Sequence, residues 1–149
     1  MTSLKQINQF IDSQPIAMVG VSQNPNKFGH TAFKELKAKG MNLIPVNPEV
    51  DHILGEKTYR NISVLPSDVK GIIVTTKKTK TAAIVREAID RGIKNIWIQQ
   101  MSDSPEAIDQ LKASDVNYIV GECILMHYKA HGIHKFHGKL KKFFGKFPK

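Results

Sequence analysis

The sequence predicts an α/β protein, doubly wound around a mainly parallel sheet. Short apolar runs without alternation recur along the chain, helical stripes separate them, and glycines close two of those stripes. Uninterrupted apolar runs are the mark of strands buried on both faces, and strands that alternate with helices imply βαβ crossovers.

Ile16 to Val21, "IAMVGV", is the first such run and reads as a strand. Thr31 to Lys39 follows with Ala32, Phe33 and Leu36 at helical spacing, and Gly40 stands at the C-cap position. Asn42 to Val46 is the second strand, with Pro45 near its end, where a missing backbone donor is tolerated. The next stretch places Gly55 in a turn, a short strand at Thr58 to Tyr59 and a brief helix around Ile62 to Leu65.

Gly71 to Thr75 is another buried strand. Thr79 to Arg91 then carries an apolar stripe of Ala82, Ala83, Val85, Ala88 and Ile89, closed by Gly92. Asn95 to Gln99 is a strand, Ser104 to Ala113 a helix with Ser104 as N-cap and Pro105 at its first position, and Asn117 to Val120 the last strand.

At 149 residues the chain is expected to form a single domain, 1–149, with a basic tail at about 127–149. No apolar stretch approaches the roughly 20 residues that cross a bilayer, and the first residues lack a basic region followed by an apolar one. With a single cysteine, Cys123, an internal disulfide is excluded and a cytoplasmic location is expected. The net charge of +9 points to an anionic partner. Much of that charge is local, because no Asp or Glu follows His127.

In such sheets ligands bind beyond the C-terminal strand ends, where the strand order reverses. The loops after Val21, Val46, Val74 and Ile98 are therefore the ones to read. A dinucleotide fingerprint would be G-x-G-x-x-G, with an acid about 20 residues on for the ribose diol. This chain has Gly20, Ser22 and Gly29 instead, and Asn47 where the acid would stand. Ser22, Lys27 and backbone amides at the start of a helix suit phosphate, in a nucleotide other than NAD.

The order and spacing of "GVSQNPNKFG", "VNP" with "ILGEKTYRNISVLP", "GIIVTT", "IWIQQ" and "VGECILMH" resemble the CoA-binding domain family over roughly Ser13 to His127. Its Rossmann-like domain is similar to the N-terminal domain of the succinyl-CoA synthetase α subunit. The resemblance implies coenzyme A or an acyl-CoA as ligand. By that resemblance, Val21, Ser22, Asn24 and Lys27 would contact the pyrophosphate, and Asn47, Pro48 and Val50 the adenosine end. Val74 and Thr75 would form the wall beside the nucleotide, with Ile98, Gln99 and Gln100 near the pantetheine path. The synthetase's phosphorylated histidine lies on a further domain for which this chain has no room, so ligase activity is not expected.

Each of these residues also has a plainer reading. Ser22 and Lys27 suit a solvated loop, Thr75 and Thr76 suit a helix cap, and Gln99 and Gln100 suit a strand exit. Cys123 among Ile124, Leu125 and Met126 reads as a small buried hydrophobe, with a thiol poised beside CoA as the other reading. His127, His131, His134 and His137 have a helical spacing that suggests metal, but Gly132 and Gly138 interrupt it and no metal site is expected. The tail from His134 to Lys149 interleaves Lys with Phe. It reads as an amphipathic segment docked on the body, or as a surface for nucleic acid or anionic lipid.

The expected function is CoA binding by a carrier, sensor or accessory protein, since no acid and base pair, triad or metal cluster emerges. The alternatives are an NAD(P)-dependent or acyl-CoA-processing enzyme, with Cys123 the one nameable nucleophile, and a nucleic-acid module built on the tail. Homodimerisation through exposed helices is compatible with the pattern.

Overall fold

The computed structural model describes residues 2–129. Most of the basic tail, with His131, His134 and His137 and the Lys/Phe segment, lies outside the described residues. Among the described residues, seven strands and four α-helices run in the order α1 (Leu4–Ile11), β1 (Ile16–Val19), α2 (Phe28–Ala38), β2 (Leu43–Val46), β3 (His52–Ile53), β4 (Glu56–Lys57), β5 (Gly71–Val74), α3 (Lys78–Arg91), β6 (Asn95–Gln99), α4 (Pro105–Lys112) and β7 (Asn117–Glu122). Short 3-10 turns occupy Ile62–Val64 and Ile124–Met126.

Five strands form one parallel sheet in the order β2-β1-β5-β6-β7. The chain leaves β1 towards β2 and returns to β5 on β1's other side, so the order reverses between β1 and β5. That is the doubly wound, Rossmann-like arrangement. Its switch point fixes where a ligand crevice opens.

Strand residues alternate between two cores. Ile16, Met18, Leu43, Ile73, Trp97 and Ile119 pack under α1 and α2 with Phe10, Phe33 and Leu36. Ala17, Val19, Val46, Ile72, Val74, Ile96 and Ile98 pack under α3 and α4 with Val85, Ala88 and Leu111. Both faces are apolar, so the strands read as continuous runs.

The element boundaries differ from the sequence expectation in informative places. β1 stops at Val19 because Gly20, at φ +98, turns the chain out of the sheet. α2 starts at Phe28 rather than Thr31, since the polar turn before it continues directly into the helix. The segment after β2 holds a hairpin, β3 and β4, with Leu54 and Gly55 at its tip in the left-handed region. Tyr59 is only an isolated bridge to Val46.

α1 lies outside the set of elements read from the sequence. Its capping box closes on itself, Gln6 N donating to Ser3 Oγ at 3.2 Å and Ser3 N to Gln6 Oε1 at 2.8 Å. Its buried residues Ile7 and Phe10 then cover β6 and β7, the Phe10 ring meeting Trp97 edge-on at 5.3 Å.

Candidate functional site

A cleft of about 620 Å³ opens beyond the C-terminal ends of β1 and β5, at the switch point. That volume lies within the roughly 300–1,000 Å³ of small-molecule sites. One wall is the turn from β1 into α2. Gly20 and Gly29 make this turn possible by close approach. A Cβ on Gly20 would lie 2.7 Å from Thr75 Oγ1, and one on Gly29 would fall on the Gly20 carbonyl oxygen. The two glycines thus bring the start of α2 hard against β1 and β5, the packing that a third fingerprint glycine provides in dinucleotide folds.

The loop between them is ordered by its own side chains. Asn24 N donates to Ser22 Oγ at 3.0 Å and Asn26 N to Asn24 Oδ1 at 2.9 Å, while His30 Nδ1 lies 2.8 Å from the Ser22 carbonyl. The loop after β2 is fastened to it: Asn47 Nδ2 donates to the Val21 carbonyl at 2.8 Å, and Asn47 Oδ1 accepts from Glu49 N at 2.7 Å. Where a dinucleotide site has a ribose-binding carboxylate, this chain has an amide whose groups hold two loops together.

Two helices begin at the cleft, and both begin with lysine. Lys27 is the N-cap of α2 and Lys77 that of α3, and neither supplies a side-chain cap. No acidic residue occupies either first turn. A helix N-terminus carries positive partial charge, so Lys27, Lys77, Lys78 and Lys80 concentrate positive potential instead of balancing it. Lys27, Lys77 and Lys80 line the cleft, as does Arg60. The arrangement is suited to an anion with more than one phosphate.

The residues assigned from the sequence divide into two groups. Val21, Ser22 and Lys27 line the cleft on the α2 side, Asn47 and Pro48 at the end of β2, and Thr75, Gln99 and Gln100 at the ends of β5 and β6. Asn24 sits on the exposed turn and orders Asn26 instead of facing the cleft. Val50 packs against the α1/α2 core, and Val74 and Ile98 lie wholly inside the α3/α4 core, beneath the floor.

Thr75 and Thr76 do not cap α3. Thr75 Oγ1 donates to the Val19 carbonyl at 2.8 Å, which ties β5 to β1 across the switch point. Thr76 Oγ1 lies 3.2 Å from Thr81 Oγ1, and Thr81 Oγ1 donates to the Ser102 carbonyl at 2.6 Å. Gln99 is 1% exposed, and its Oε1 accepts from Ile124 N at 3.1 Å. Its Nε2, and Oε1 of Gln100, are buried without a partner among the described residues.

Cys123 is fully buried, and burial pushes its thiol pKa up. It does not line the cleft. His127 Nε2 pairs with Glu122 Oε1 at 2.9 Å beside the Trp97 ring. Among the described residues no three His, Cys, Asp or Glu side chains group as metal ligands. No helix among them is long and apolar enough to cross a membrane.

Sequence reasoning missed the α3 side of the cleft. Lys77, Lys80, Ile84 and Glu87 line it, opposite Arg60 and Ile62. A signal was present in "TKKTKT", three lysines at a helix start, where acids are normally favoured.

The profile of the CoA binding domain family matches residues 14–129, most of the chain. The chain belongs to the CoA-binding domain family. It is 28% identical over 123 residues to the uncharacterized protein YneT of Bacillus subtilis, covering 83% of this chain and 89% of that one. It is 29% identical over 93 residues to the α subunit of an ADP-forming acetate–CoA ligase II from Pyrococcus furiosus, covering 62% of this chain but 20% of the subunit. Among solved structures, a conserved hypothetical protein of Pyrococcus furiosus superposes with a TM-score of 0.72 at 38% identity, over 74% of this chain and 96% of that one. The CoA-binding domain thus occurs both in chains of about this length and as a small part of a ligase subunit.

Proposed function

We infer that this chain binds coenzyme A or an acyl-CoA in the switch-point cleft, as a cytoplasmic carrier, sensor or accessory protein and not as a catalyst. The observation that carries this reading is the convergence of two uncapped, lysine-started helices, α2 and α3, on one cleft. CoA brings a pyrophosphate, a further phosphate on the ribose and a polar pantetheine arm. The Ser22 to Gly29 turn suits the pyrophosphate, and the unpartnered amide atoms of Gln99 and Gln100 suit the amide groups of the arm. Asn47 in place of an acid speaks against NAD. The acetate–CoA ligase's activity is not carried over, because the matched region is a fifth of that subunit.

Calorimetric titration of the full chain with CoA, acetyl-CoA, NAD and NADP tests the reading, with Lys27→Ala in parallel. CoA binding that the variant weakens, with NAD and NADP inert, supports it. Absence of CoA binding overturns it and turns attention to the basic tail. There, strongly salt-dependent binding of nucleic acid, lost on deleting His134 to Lys149, would carry the other reading.

A further inference from the structure

Six of the chain's nine net positive charges lie on residues 130–149, as Lys135, Lys139, Lys141, Lys142, Lys146 and Lys149 without an Asp or Glu. The same stretch holds four of the seven phenylalanines, Phe136, Phe143, Phe144 and Phe147, with Ile133 and Leu140. It contains no Arg, Asn, Gln, Ser, Thr, Tyr or Trp. Phe136, Leu140, Phe143 and Phe147 fall at spacings of four, three and four, and Lys135, Lys139, Lys142 and Lys146 repeat that pattern one position earlier. An apolar row flanked by a row of cations is the pattern of a segment that lies in a bilayer interface.

The body fixes where this segment begins. Tyr128 is buried in the α1/α2 core, and Lys129 Nζ donates to the carbonyl of Lys39, the C-cap of α2, at 2.9 Å. α2 is 11 residues long, about 16 Å, and its first residues line the cleft. The segment therefore starts from the end of the sheet remote from the cleft. Among the described residues the exposed large apolar side chains are Leu4, Leu54, Val64 and Met101. They stand on α1, the β3–β4 turn, the 62–64 turn and the exit from β6, and share no helix face or strand that would seat a row of phenylalanines.

We propose that residues 130–149 bind the surface of an anionic lipid bilayer and hold the body there with its cleft uncovered. Each Lys near such a surface is worth about a fivefold gain in partition, and stable attachment takes a second, apolar signal, which the phenylalanines supply. Gly138 and Gly145 lower the helix propensity of the segment, so the interface supplies the order of the two rows. Nucleic acid is the poorer partner. Base edges are read chiefly by Arg, Asn, Gln and hydroxyl side chains, all absent here, and Ile133 and Leu140 have no ring to stack on a base. The attachment does not depend on which ligand the cleft holds.

The test is sedimentation of the full chain with vesicles of phosphatidylcholine alone and with about a third phosphatidylserine. Lys139→Gln/Lys141→Gln/Lys142→Gln removes charge, Phe143→Ser/Phe144→Ser removes insertion, and thermal melts confirm that each is folded. Wild type should bind the anionic vesicles at about 0.1 M salt and ignore the neutral ones. The lysine variant should lose about a hundredfold in partition and the phenylalanine variant about tenfold or more. No binding to anionic vesicles, or binding that the phenylalanine variant leaves unchanged, would overturn the lipid assignment. So would a single-stranded oligonucleotide that strips the chain from the vesicles at equal phosphate concentration. CoA affinity measured on vesicles should equal that of the free chain, and its loss there would overturn the uncovered cleft. A free chain that binds no CoA fails the CoA reading and leaves the vesicle result to stand by itself.

Discussion

The side chain of Asn47 donates to the main-chain carbonyl of Val21 at 2.8 Å, binding the loop after β2 to the loop after β1 across the mouth of the cleft. Because Asn47 also accepts from Glu49 N, one carboxamide sets the positions of two cleft-lining loops. Asn47→Ala should lose about 1–2 kcal/mol of stability and weaken CoA binding. Asn47→Asp keeps the acceptor but sets a carboxylate against the Val21 carbonyl and near the ligand phosphates. It should bind CoA more weakly than Asn47→Ala without acquiring NAD. Chemical denaturation and titration of the two variants check both statements; NAD binding by Asn47→Asp would show that this position alone decides between the ligands.

Gly29 lies inside α2 and its need for glycine is one of space, because its missing Cβ faces the Gly20 carbonyl oxygen. Backbone cannot move aside as a flexible side chain does. Gly29→Ala should therefore cost about 2 kcal/mol or more and shift the start of α2 away from β1. The check is a paired measurement of melting temperature and CoA affinity. A variant with unchanged stability would mean that the turn opens freely and that the close approach is incidental.

Burial holds the Cys123 thiol pKa up, opposed in part by the nearby Gln99 side chain and the Leu125 and Met126 backbone. A raised pKa in the folded state contributes stability that is complete below the ordinary thiol value of 9.0 and is lost as pH rises through the folded value. Lys39 acts with the opposite sign: desolvation lowers its pKa, so its contribution is present above 10.5 and lost as pH falls through the lowered value. The Cys123 limb is thus read as a difference. Between pH 8 and 10, wild type should lose more stability than Cys123→Ala. At neutral pH an aromatic disulfide reagent should not label the native thiol but should label it after denaturation. Rapid native labelling would revive a thiol role beside the ligand.

How much of this was legible in the sequence depends on the range of the interaction. β1, β5 and β6 were legible because "IAMV", "GIIV" and "NIWIQ" are apolar without interruption. α3 and α4 were legible because Gly92 and the Ser104-Pro105 pair mark their ends. α1 was not, since its evidence is a reciprocal cap between Ser3 and Gln6 and two buried residues in a polar segment. The turn between β1 and α2 that lines the cleft was legible from Gly20, Ser22, Lys27 and Gly29. The α3 wall was not, because Glu87 and Ile62 are brought together only by tertiary packing, 25 residues apart in the chain. The resemblance assigns Val74 to the wall beside the nucleotide and Ile98 to the pantetheine path, but the side-chain period of two points both into the α3/α4 core.

The lysines of α3 predict a trade between stability and binding. Lys78 and Lys80 both stand in the first turn, where positive charge opposes the helix dipole, but only Lys80 lines the cleft. Lys78→Glu should raise stability by about 0.5 kcal/mol and leave CoA affinity little changed at moderate salt. Lys80→Glu should give a similar gain in stability while weakening CoA binding severely, because a carboxylate then replaces a cation in the wall of the proposed CoA cleft. A melting curve and a titration for each variant decide the matter. If both variants bind CoA equally well, the basic start of α3 is a solvated surface and its departure from helix-dipole preference has no bearing on the ligand. If they separate as expected, the instability stored at this helix end is maintained because the site requires it.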